Sequence, residues 1–405
     1  MKKLLTLLVA LVLTFGAVAA LPACSETGSG EEKPFIGLIA LHDSNSTYDK
    51  NFIDAFNAAC EAKGVVGSVK TGIPEDNKCY DTAAELADAG CKIIFADSFG
   101  HESFLLKAAK EFTDVQFCHA TGTTAHTENL SNFHNAFASI YEGRYLAGVV
   151  AGLKLKAMMD ADSTVQPKVG YVGAFTYAEV ISGYTSWYLG VKSIVPAVEM
   201  QVQFTGSWYD ETAEKTAAET LIKEGCVLIS QHADSMGAPT ACETANVPNV
   251  SYNGSTEASC PNTFLISSRI NWQPYFEYII DCVKKNETIV TDYVGGFGTG
   301  YTDGSVAMTE LGKIAPVAGT QAKIDEVAAA LRAGTLKVFD VSTFTVKGET
   351  LTSYLADVDT DADYAPDTEA IKTENGITYF AESEFRSAPY FNIQIDGIQL
   401  LNTEF

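Results

Sequence analysis

The sequence predicts an α/β protein with two similar lobes, each built on a parallel sheet. Short apolar runs alternate with amphipathic stretches in βαβα order, and this order occurs twice. Such alternation is typical of parallel sheets that helices cover on both faces. About 380 residues remain after the N-terminal leader described below, which exceeds one ordinary hydrophobic core. Polar loops follow the predicted strands, where sheets of this kind bind ligands.

The elements are placed by hydrophobic periodicity and by glycine at their ends. A helix is predicted at 51–63, for example, because Phe52, Ala55, Phe56 and Ala59 share one face and Gly64 follows. Strands are predicted at 35–41, 92–96, 115–119, 169–172, 200–204 and 227–230, and further helices at 102–112, 140–156, 179–195, 212–224 and 240–245.

The lobes are each expected to be discontinuous in the chain. The run 263–267 and a helix at about 272–284 are expected to lead back to the first lobe. The first lobe then comprises residues 34–136 plus about 268–295, and the second comprises 137–267 plus about 296–337. Residues 338–405 change character, because alternating runs at 339–346 and 390–398 predict a β-rich C-terminal extension.

The N-terminus carries the signature of an export signal. Lys2 and Lys3 precede a mostly apolar run at 4–20, and Leu21-Pro22-Ala23-Cys24 follows it. This end resembles a bacterial lipobox, so we expect a signal peptide at 1–23, a lipid on Cys24 and a polar tether at 24–33. The alternative is an ordinary signal peptide with an incidental thiol. The rest of the sequence contains no second long apolar run, so no transmembrane helix is predicted. The lipid alone is therefore expected to hold the protein on the membrane.

Net charge limits the possible partners, and the cysteine content limits the possible disulfides and metal sites. The formal net charge is −24, which disfavours nucleic acid as a partner. Eight cysteines remain besides Cys24, and an even number outside the cytoplasm permits disulfides. Cys60 with Cys79, and Cys242 with Cys260, are close enough in sequence to pair, although buried free thiols are the alternative. Because no C-x-x-C occurs, a zinc or dithiol redox site lacks its usual signature.

The strand-end loops combine small residues, aromatic rings and polar side chains. Flat heteroaromatic ligands need this mixture, because rings cover their faces and polar groups bind their edges. The candidate ligand-binding residues are Asp43, Asn51, Phe52, Ser98, Phe99, Gly100, His119, Phe175, Trp208, His232, Asp234, Asn253 and Trp272. Phe52, Trp208 and Trp272 have core packing as their alternative role. His232 and Asp234 lack a visible third ligand for a metal, so no metal and no cofactor are expected.

Several motifs together resemble the basic membrane protein family, which are lipoprotein receptors of ABC importers and include purine-nucleoside receptors. The matching segments are Asp43-Ser-x-x-x-x-Asp49-Lys50-x-Phe52, Glu142-Gly143-x-Tyr145-Leu146-Ala147-Gly148, Val169-Gly170-Tyr171-Val172-Gly173, Val191-Lys192-x-x-x-Pro196 and Gly206-Ser207-Trp208-x-Asp210. The resemblance covers about residues 35–315. It implies a type I periplasmic-binding-protein fold with a ligand cleft between the lobes, a purine ligand, a membrane permease as partner, and no catalysis. By position, Asp43 matches an acidic ligand contact and Phe52 an aromatic that stacks on the base, with Trp208 on the opposite face.

Two departures from the family pattern affect the expected ligand. The segments 231–235 and 268–272 are bulkier than their counterparts in nucleoside receptors, which favours a free nucleobase over a nucleoside. The protein is expected to be a monomer. Other hypotheses remain: a receptor for a sugar or an autoinducer, a sensor without an importer, and an exported nucleoside hydrolase. The hydrolase is disfavoured because the first loop offers only Asp43 and Asp49 where such enzymes carry an acidic calcium cluster.

Overall fold

The computed structural model describes residues 33–296, 304–358 and 365–404. The predicted signal peptide, Cys24 and nearly all of the tether lie outside these ranges. The strands are β1 Ile36–Ile39, β2 Gly67–Lys70, β3 Ile93–Ala96, β4 Gln116–Ala120, β5 Phe133–Ala138, β6 Lys168–Gly173, β7 Glu199–Phe204, β8 Ile229–Gln231, β9 Asn249–Tyr252, β10 Phe264–Ile270, β11 Asp292–Gly295, β12 Val306–Met308, β13 Leu355–Ala356, β14 Thr368–Glu369, β15 Ile371–Glu374, β16 Ile377–Phe380 and β17 Ile398–Leu400. The helices are α1 Thr47–Lys63, α2 Asn77–Ala89, α3 Glu102–Glu111, α4 Ala125–Glu128, α5 Ile140–Ala161, α6 Ala178–Ile194, α7 Glu211–Lys223, α8 Gly237–Ala245, α9 Gln273–Lys285 and α10 Thr320–Arg332.

Two separate sheets form the centres of the two lobes. The first has the order β11-β5-β4-β3-β1-β2, and all of its strands run parallel. The second has the order β12-β10-β9-β8-β6-β7-β17, in which β12 alone runs antiparallel to its neighbour. The predicted α/β class is confirmed.

Helix α1 shows how the sequence fixes an element beside the cleft. The Ser46 side chain caps its start by accepting a hydrogen bond from the Asp49 amide, at 3.1 Å. Gly64 ends it with a left-handed φ of 60°. Phe52 and Phe56 form its buried face, as predicted. The helix begins at Thr47, four residues before the predicted start, because the cap lies inside the polar loop.

The chain does not return to the first lobe by way of 263–267, with that lobe resuming at about 268, as predicted, because the second sheet continues to Ile270. Residues 263–267 lie within or just before β10, which pairs in parallel with β9 and antiparallel with β12 in the second sheet. The return begins after β10, where α9 packs on α1 and β11 joins the first sheet beside β5. The chain first crosses into the second lobe near Ser139, since α5 packs on α6. Glycine allows that approach: a Cβ on Gly148 would lie 2.1 Å from the Trp187 carbonyl oxygen.

The C-terminal extension contains less regular structure than its alternating sequence predicts. The runs 339–346 and 390–398 are mostly irregular, although Phe339 and Phe391 are buried and stack with ring centroids 4.2 Å apart. Two short hairpins, β13 with β14 and β15 with β16, and the edge strand β17 supply its β structure. The aromatic rings of the extension pack on one another and on the lobes, with Phe339 stacked on Tyr141 of α5, and β17 joins the second sheet.

The predicted disulfide candidates are not bonded. All eight cysteines from Cys60 to Cys282 are buried free thiols. Burial raises the pKa of Cys60 to about 11 and that of Cys242 to about 12, so both remain protonated at neutral pH. Within the described ranges, no helix has the length and apolarity to cross a membrane.

Candidate functional site

A narrow cavity lies between the carboxyl edges of the two sheets. It is lined by Leu41, His42, Tyr48, Asp49, Ser98, Phe99 and Thr121 from the first lobe and by Glu179, Trp208, His232, Asp234 and Tyr252 from the second. The first group follows β1, β3 and β4, and the second belongs to the ends of β6, β7, β8 and β9. Both lobes therefore contribute to one site at the place where parallel sheets bind ligands.

The cavity is nearly filled by its own walls. It encloses about 360 Å³ of space outside protein atoms, part of it open to solvent, but only about 20 Å³ admits the centres of water-sized molecules. About 10–15 Å³ measured in this way holds one water. A molecule much larger than water therefore fits only if the lobes separate, as in hinged two-lobe proteins.

Four aromatic side chains form much of the wall. Tyr48 and Phe99 come from the first lobe, and Trp208 and Tyr252 from the second. The Tyr48 hydroxyl donates to the carbonyl oxygen of Asp97, at 2.8 Å, which fixes the orientation of its ring. The Trp208 ring packs edge-on against Phe175, with centroids 4.9 Å apart. These flat surfaces come from opposite lobes, so closing the lobes brings them together.

Asp49 is a buried carboxylate that the protein itself satisfies. One oxygen accepts the His42 backbone N–H at 2.7 Å, and the other accepts the Ser46 hydroxyl at 2.6 Å and lies 3.3 Å from the His42 ring. Burial alone would raise the pKa of Asp49, but the hydrogen bonds with His42 and Ser46 outweigh it and lower the pKa. Asp49 is therefore ionised, with its oxygens largely occupied.

His232 and Glu179 form a second buried polar pair, with Nε2 and Oε1 3.4 Å apart. Burial lowers the pKa of His232, and the nearby Glu179 offsets this only in part. The ring is therefore neutral at physiological pH. Beneath it, the fully buried Arg144 donates to the Tyr171 hydroxyl and to the Gln231 carbonyl oxygen. This guanidinium donates its hydrogen bonds to other protein groups, and Arg144 does not line the cavity.

Asp234 differs from these carboxylates because its side chain has no partner. Its backbone carbonyl accepts the Thr47 amide at 3.0 Å, which links the two lobes. Its carboxyl group, on a residue only 5% exposed, forms no hydrogen bond with any residue in the described ranges. Burial first, and then the charges of Asp49, Glu214 and Glu179, raise its pKa well above the usual range.

The structure brings five of the thirteen sequence-predicted residues into the cavity wall. These are Ser98, Phe99, Trp208, His232 and Asp234. Others lie directly behind the wall or beside it. His119 bonds the Ser98 carbonyl oxygen at 2.7 Å, the Gly100 amide donates to Glu75, and Phe175 supports Trp208. Asp43 is exposed outside the cavity, and its carboxylate accepts the Asn45 amide.

Asn51 and Asn253 line a neighbouring groove instead. The Asn51 side chain donates to the Ile270 carbonyl oxygen at 2.6 Å and accepts from Arg269 at 3.3 Å. Asn253 has a buried side-chain nitrogen and a left-handed φ of 62°. Asn51 thus links α1 to the second lobe, whereas the Asn253 amide donates to the Ser268 carbonyl oxygen within that lobe.

The ligand-stacking role predicted for Phe52 is contradicted by its burial. Phe52 is 0% exposed, and its face is covered by Trp272, with centroids 4.4 Å apart and an interplanar angle of 26°. Trp272 also contacts Phe95, so both predicted ligand contacts are core residues. Tyr48, one helical turn before Phe52, packs on its edge and presents its own ring to the cavity.

The residues that sequence reasoning missed lie mostly within loops it had selected. They are Leu41, His42, Tyr48, Asp49, Thr121, Glu179 and Tyr252. Tyr48 and Asp49 belong to the first polar loop, and Glu179 lies in the first turn of α6. The capping pattern Ser46-x-x-Asp49 was the available signal, because it places Tyr48 and Asp49 in the first turn of a helix that starts at the cleft. Within the described part of the chain, no three His, Cys, Asp or Glu side chains are grouped to hold a metal ion.

Comparison with known proteins agrees with this architecture. Residues 39–332 match the family model Bmp, described as ABC transporter substrate-binding protein PnrA-like. A purine-binding protein of Brucella abortus is 31% identical over 268 residues, which cover 64% of this chain and 72% of that protein. A nucleoside-binding protein of Lactococcus lactis is 25% identical, with 58% and 67% covered. A Haloferax volcanii protein named as glucose-binding is 30% identical, with 53% and 52% covered.

Solved structures share the fold at lower identity. A solute-binding protein of Aeropyrum pernix superposes with a TM-score of 0.63 at 17% identity, covering 75% of this chain and 92% of that one. One from Conexibacter woesei gives 0.60 at 20% identity, with 75% and 97% covered. The two-lobed type I periplasmic-binding-protein fold is thus confirmed, and the chain belongs to the Bmp family of ABC-transporter substrate-binding proteins.

Proposed function

We propose that this protein is a monomeric, lipid-anchored receptor that captures a purine nucleobase or nucleoside between its lobes and delivers it to an ABC permease. The observation that carries the proposal is the composition of the cavity, which combines aromatic faces from both lobes with buried carboxyl groups. Purines need both features, because they have two flat faces and an edge of ring N–H and amino donors.

The aromatic part of the wall would supply affinity. Trp208 of the second lobe and Tyr48 and Phe99 of the first offer ring surfaces on both sides of the cleft. Stacking on a nucleobase contributes roughly 1–3 kcal/mol per aromatic side chain and depends little on which base is bound. These rings therefore support recognition of purines as a class.

The polar part of the wall would exclude purine derivatives that carry negative charge. Asp49, Glu179 and Asp234 line the cavity, and none of the twelve lining residues is Lys or Arg. A phosphate group would bring further negative charge into this low-dielectric space without a cation to pair with it. The site thus favours a base or nucleoside over a nucleotide.

The named relatives support this proposal and also define its main competitor. One relative is a purine-binding protein and another binds nucleosides, whereas a third is named for glucose. Sugar sites also combine an aromatic face with carboxylates that accept hydroxyl hydrogens. Glucose is therefore the comparison ligand in any test. No chemical conversion of the ligand is proposed, because the family binds substrates for transport.

Calorimetry on the ligand-stripped protein tests the proposal. Adenine, guanine, hypoxanthine, guanosine, GMP and glucose are titrated separately into wild type and Trp208→Ala. We expect at least one base or nucleoside to bind well below millimolar, GMP to bind more weakly than guanosine, and Trp208→Ala to weaken all purines by about tenfold. Binding of glucose alone would assign the protein to sugars, and failure of every purine below about 1 mM, where binding is worth only about 4 kcal/mol, would overturn the proposal.

A further inference from the structure

We propose that Asp234 is the specificity-determining residue of the cavity and that it selects purines that present an amino group beside a ring N–H, the donor pair of guanine. The inference rests on the proposed function and deepens it. Its basis is a comparison of the three cavity carboxyl groups, their partners and the charges around them.

Among these three carboxyl groups, Asp234 is the one with neither oxygen bonded to a residue in the described ranges, whereas Glu179 is engaged through one oxygen. Both oxygens of Asp49 are engaged by His42 and Ser46. Glu179 lies 3.4 Å from the His232 ring. Asp234 has no side-chain hydrogen bond within the described residues, although it is buried and lines the cavity. A ligand that supplies N–H donors to this side chain therefore makes hydrogen bonds that the described residues do not provide.

The geometry of a carboxylate defines the matching ligand edge. Its two oxygens accept two parallel N–H groups in one plane, as in bidentate pairs. Guanine presents such a pair with N1–H and its 2-amino group. Hypoxanthine has N1–H but no amino group, and adenine has an amino group beside a ring nitrogen that accepts rather than donates. A carboxylate at this place therefore ranks guanine above both.

The surroundings of Asp234 favour the same positive edge. Asp49 of α1, Glu179 of α6 and Glu214 of α7 all act on it with negative charge. His232 of the same loop has its pKa lowered by burial and is neutral. The cationic Arg144 is turned to Tyr171 and Gln231 behind the wall. Burial and these charges raise the pKa of Asp234, so the cavity by itself favours its protonated form. Two N–H donors from one ligand stabilise the ionised form instead, and the proton is released to solvent. A carbonyl or phosphate oxygen would meet negative potential here.

The substitution Asp234→Asn tests the inference through a ratio of affinities. Asn offers one acceptor and one donor, which match the N1–H and O6 edge of hypoxanthine and oppose the amino group of guanine. In wild type, guanine is expected to bind about tenfold or more tighter than hypoxanthine. In Asp234→Asn this ratio should fall to about one or reverse. Asp210→Asn, at an exposed helix cap outside the cavity, is the matched control and should keep the wild-type ratio.

A second variant protects the test against a folding defect. Asp234→Ser replaces the two carboxyl oxygens with a single hydroxyl on a shorter side chain, so it cannot accept two parallel N–H groups and should also abolish the preference for guanine. An unchanged ratio in either variant that is folded, as judged by its thermal midpoint, would overturn the role of Asp234 while leaving purine capture intact. If wild type binds hypoxanthine as tightly as guanine, the inference is also wrong. If wild type binds no purine at all, the proposed function itself has failed.

Discussion

The rings of Phe99 and Tyr177 stack across the mouth of the cleft, with centroids 5.2 Å apart and an interplanar angle of 30°. Phe99 follows β3 in the first lobe, and Tyr177 precedes α6 in the second. They are 39% and 43% exposed, so much of each ring faces solvent. Because the two rings belong to different lobes, their contact is lost whenever the lobes separate.

This contact predicts an effect on ligand release. Tyr177→Ala should raise the dissociation rate by about two- to tenfold, because an aromatic pair contributes about 0.5–1.5 kcal/mol. The association rate should change little, since the stack forms only on closure. Stopped-flow fluorescence measures both rates. Tyr177→Phe should retain the slow release, and Leu355→Ala, at an exposed site in the C-terminal extension, serves as the control. An unchanged dissociation rate in Tyr177→Ala would show that the contact between Phe99 and Tyr177 does not slow ligand release.

Phe52 should behave as a core residue in spite of its place in the family motif. Phe52→Ala removes a fully buried ring that stacks on Trp272 and contacts Phe95. We expect the free energy of unfolding to fall by about 3–5 kcal/mol. The folded fraction of the variant should bind the purines in the same order of affinity as wild type. Urea denaturation and calorimetry measure these quantities, with Phe99→Ala as an exposed aromatic control for stability. A small loss of stability with a large loss of affinity would restore the stacking role.

The burial of Glu382 predicts that the free energy of unfolding of this protein depends on pH. Its side chain is buried in the extension, where one oxygen accepts the amides of Tyr390 and Phe391 at 3.1 and 2.9 Å. Burial raises the pKa of Glu382 to about 7. Since an unfolded glutamate ionises near 4.5, the folded state binds the extra proton between these values. The stabilisation is therefore present below about pH 4.5 and is lost as the pH rises to about 7.

Glu382→Gln removes this titration and keeps an acceptor for both amides. Between pH 5 and pH 8, wild type should lose up to about 3 kcal/mol more of its unfolding free energy than the variant loses. Urea denaturation at the two pH values measures the difference. Glu349→Gln, at an exposed position, should follow wild type. Parallel curves for wild type and Glu382→Gln would show that this carboxyl does not titrate as expected.

Cys24 is expected to carry the membrane anchor, because Leu21-Pro22-Ala23-Cys24 follows the apolar run of the leader. Cys24→Ser should move the protein from the membrane fraction to the soluble exported fraction, since no acyl chain can be attached. Fractionation followed by immunodetection measures this. Cys60→Ser, at a buried thiol, is the matched control and should remain in the membrane fraction. Retention of Cys24→Ser on the membrane would contradict the prediction.

The architecture could be predicted from the sequence because strand–helix alternation constrains it strongly. Apolar runs such as 93–96 and 169–172 are buried strands, and their polar loops converge on one cavity. The role of Phe52 could not be predicted, because a ring on the buried face of a helix and a ring that stacks on a ligand have the same spacing. Which of them occurs depends on Trp272, 220 residues later in the sequence, whose ring covers Phe52.

Long-range pairing explains the remaining errors. The run 390–398 alternates like a strand, yet its apolar side chains pack into an irregular core because no neighbouring strand offers its backbone until Ile398. Cys60 and Cys79 are near in sequence, but each is packed as a small apolar group and neither is bonded. The sequence predicts Asp234 as a ligand contact because it is polar and follows a strand. Only the structure shows that Asp49 and Glu179 have hydrogen-bond partners from the protein and that the Asp234 side chain has none among the described residues.

The edge strand β17 has a consequence for how this protein is handled. It lies parallel to β7, pairing Ile398 with Met200 and Leu400 with Val202, and so covers the backbone of that strand. An uncovered edge is a template on which other chains can add as strands and aggregate. Because β17 has only three residues, it presents a shorter edge than the six-residue β7 would. A deletion of 398–400 would therefore expose β7 and favour self-association before any loss of the ligand site.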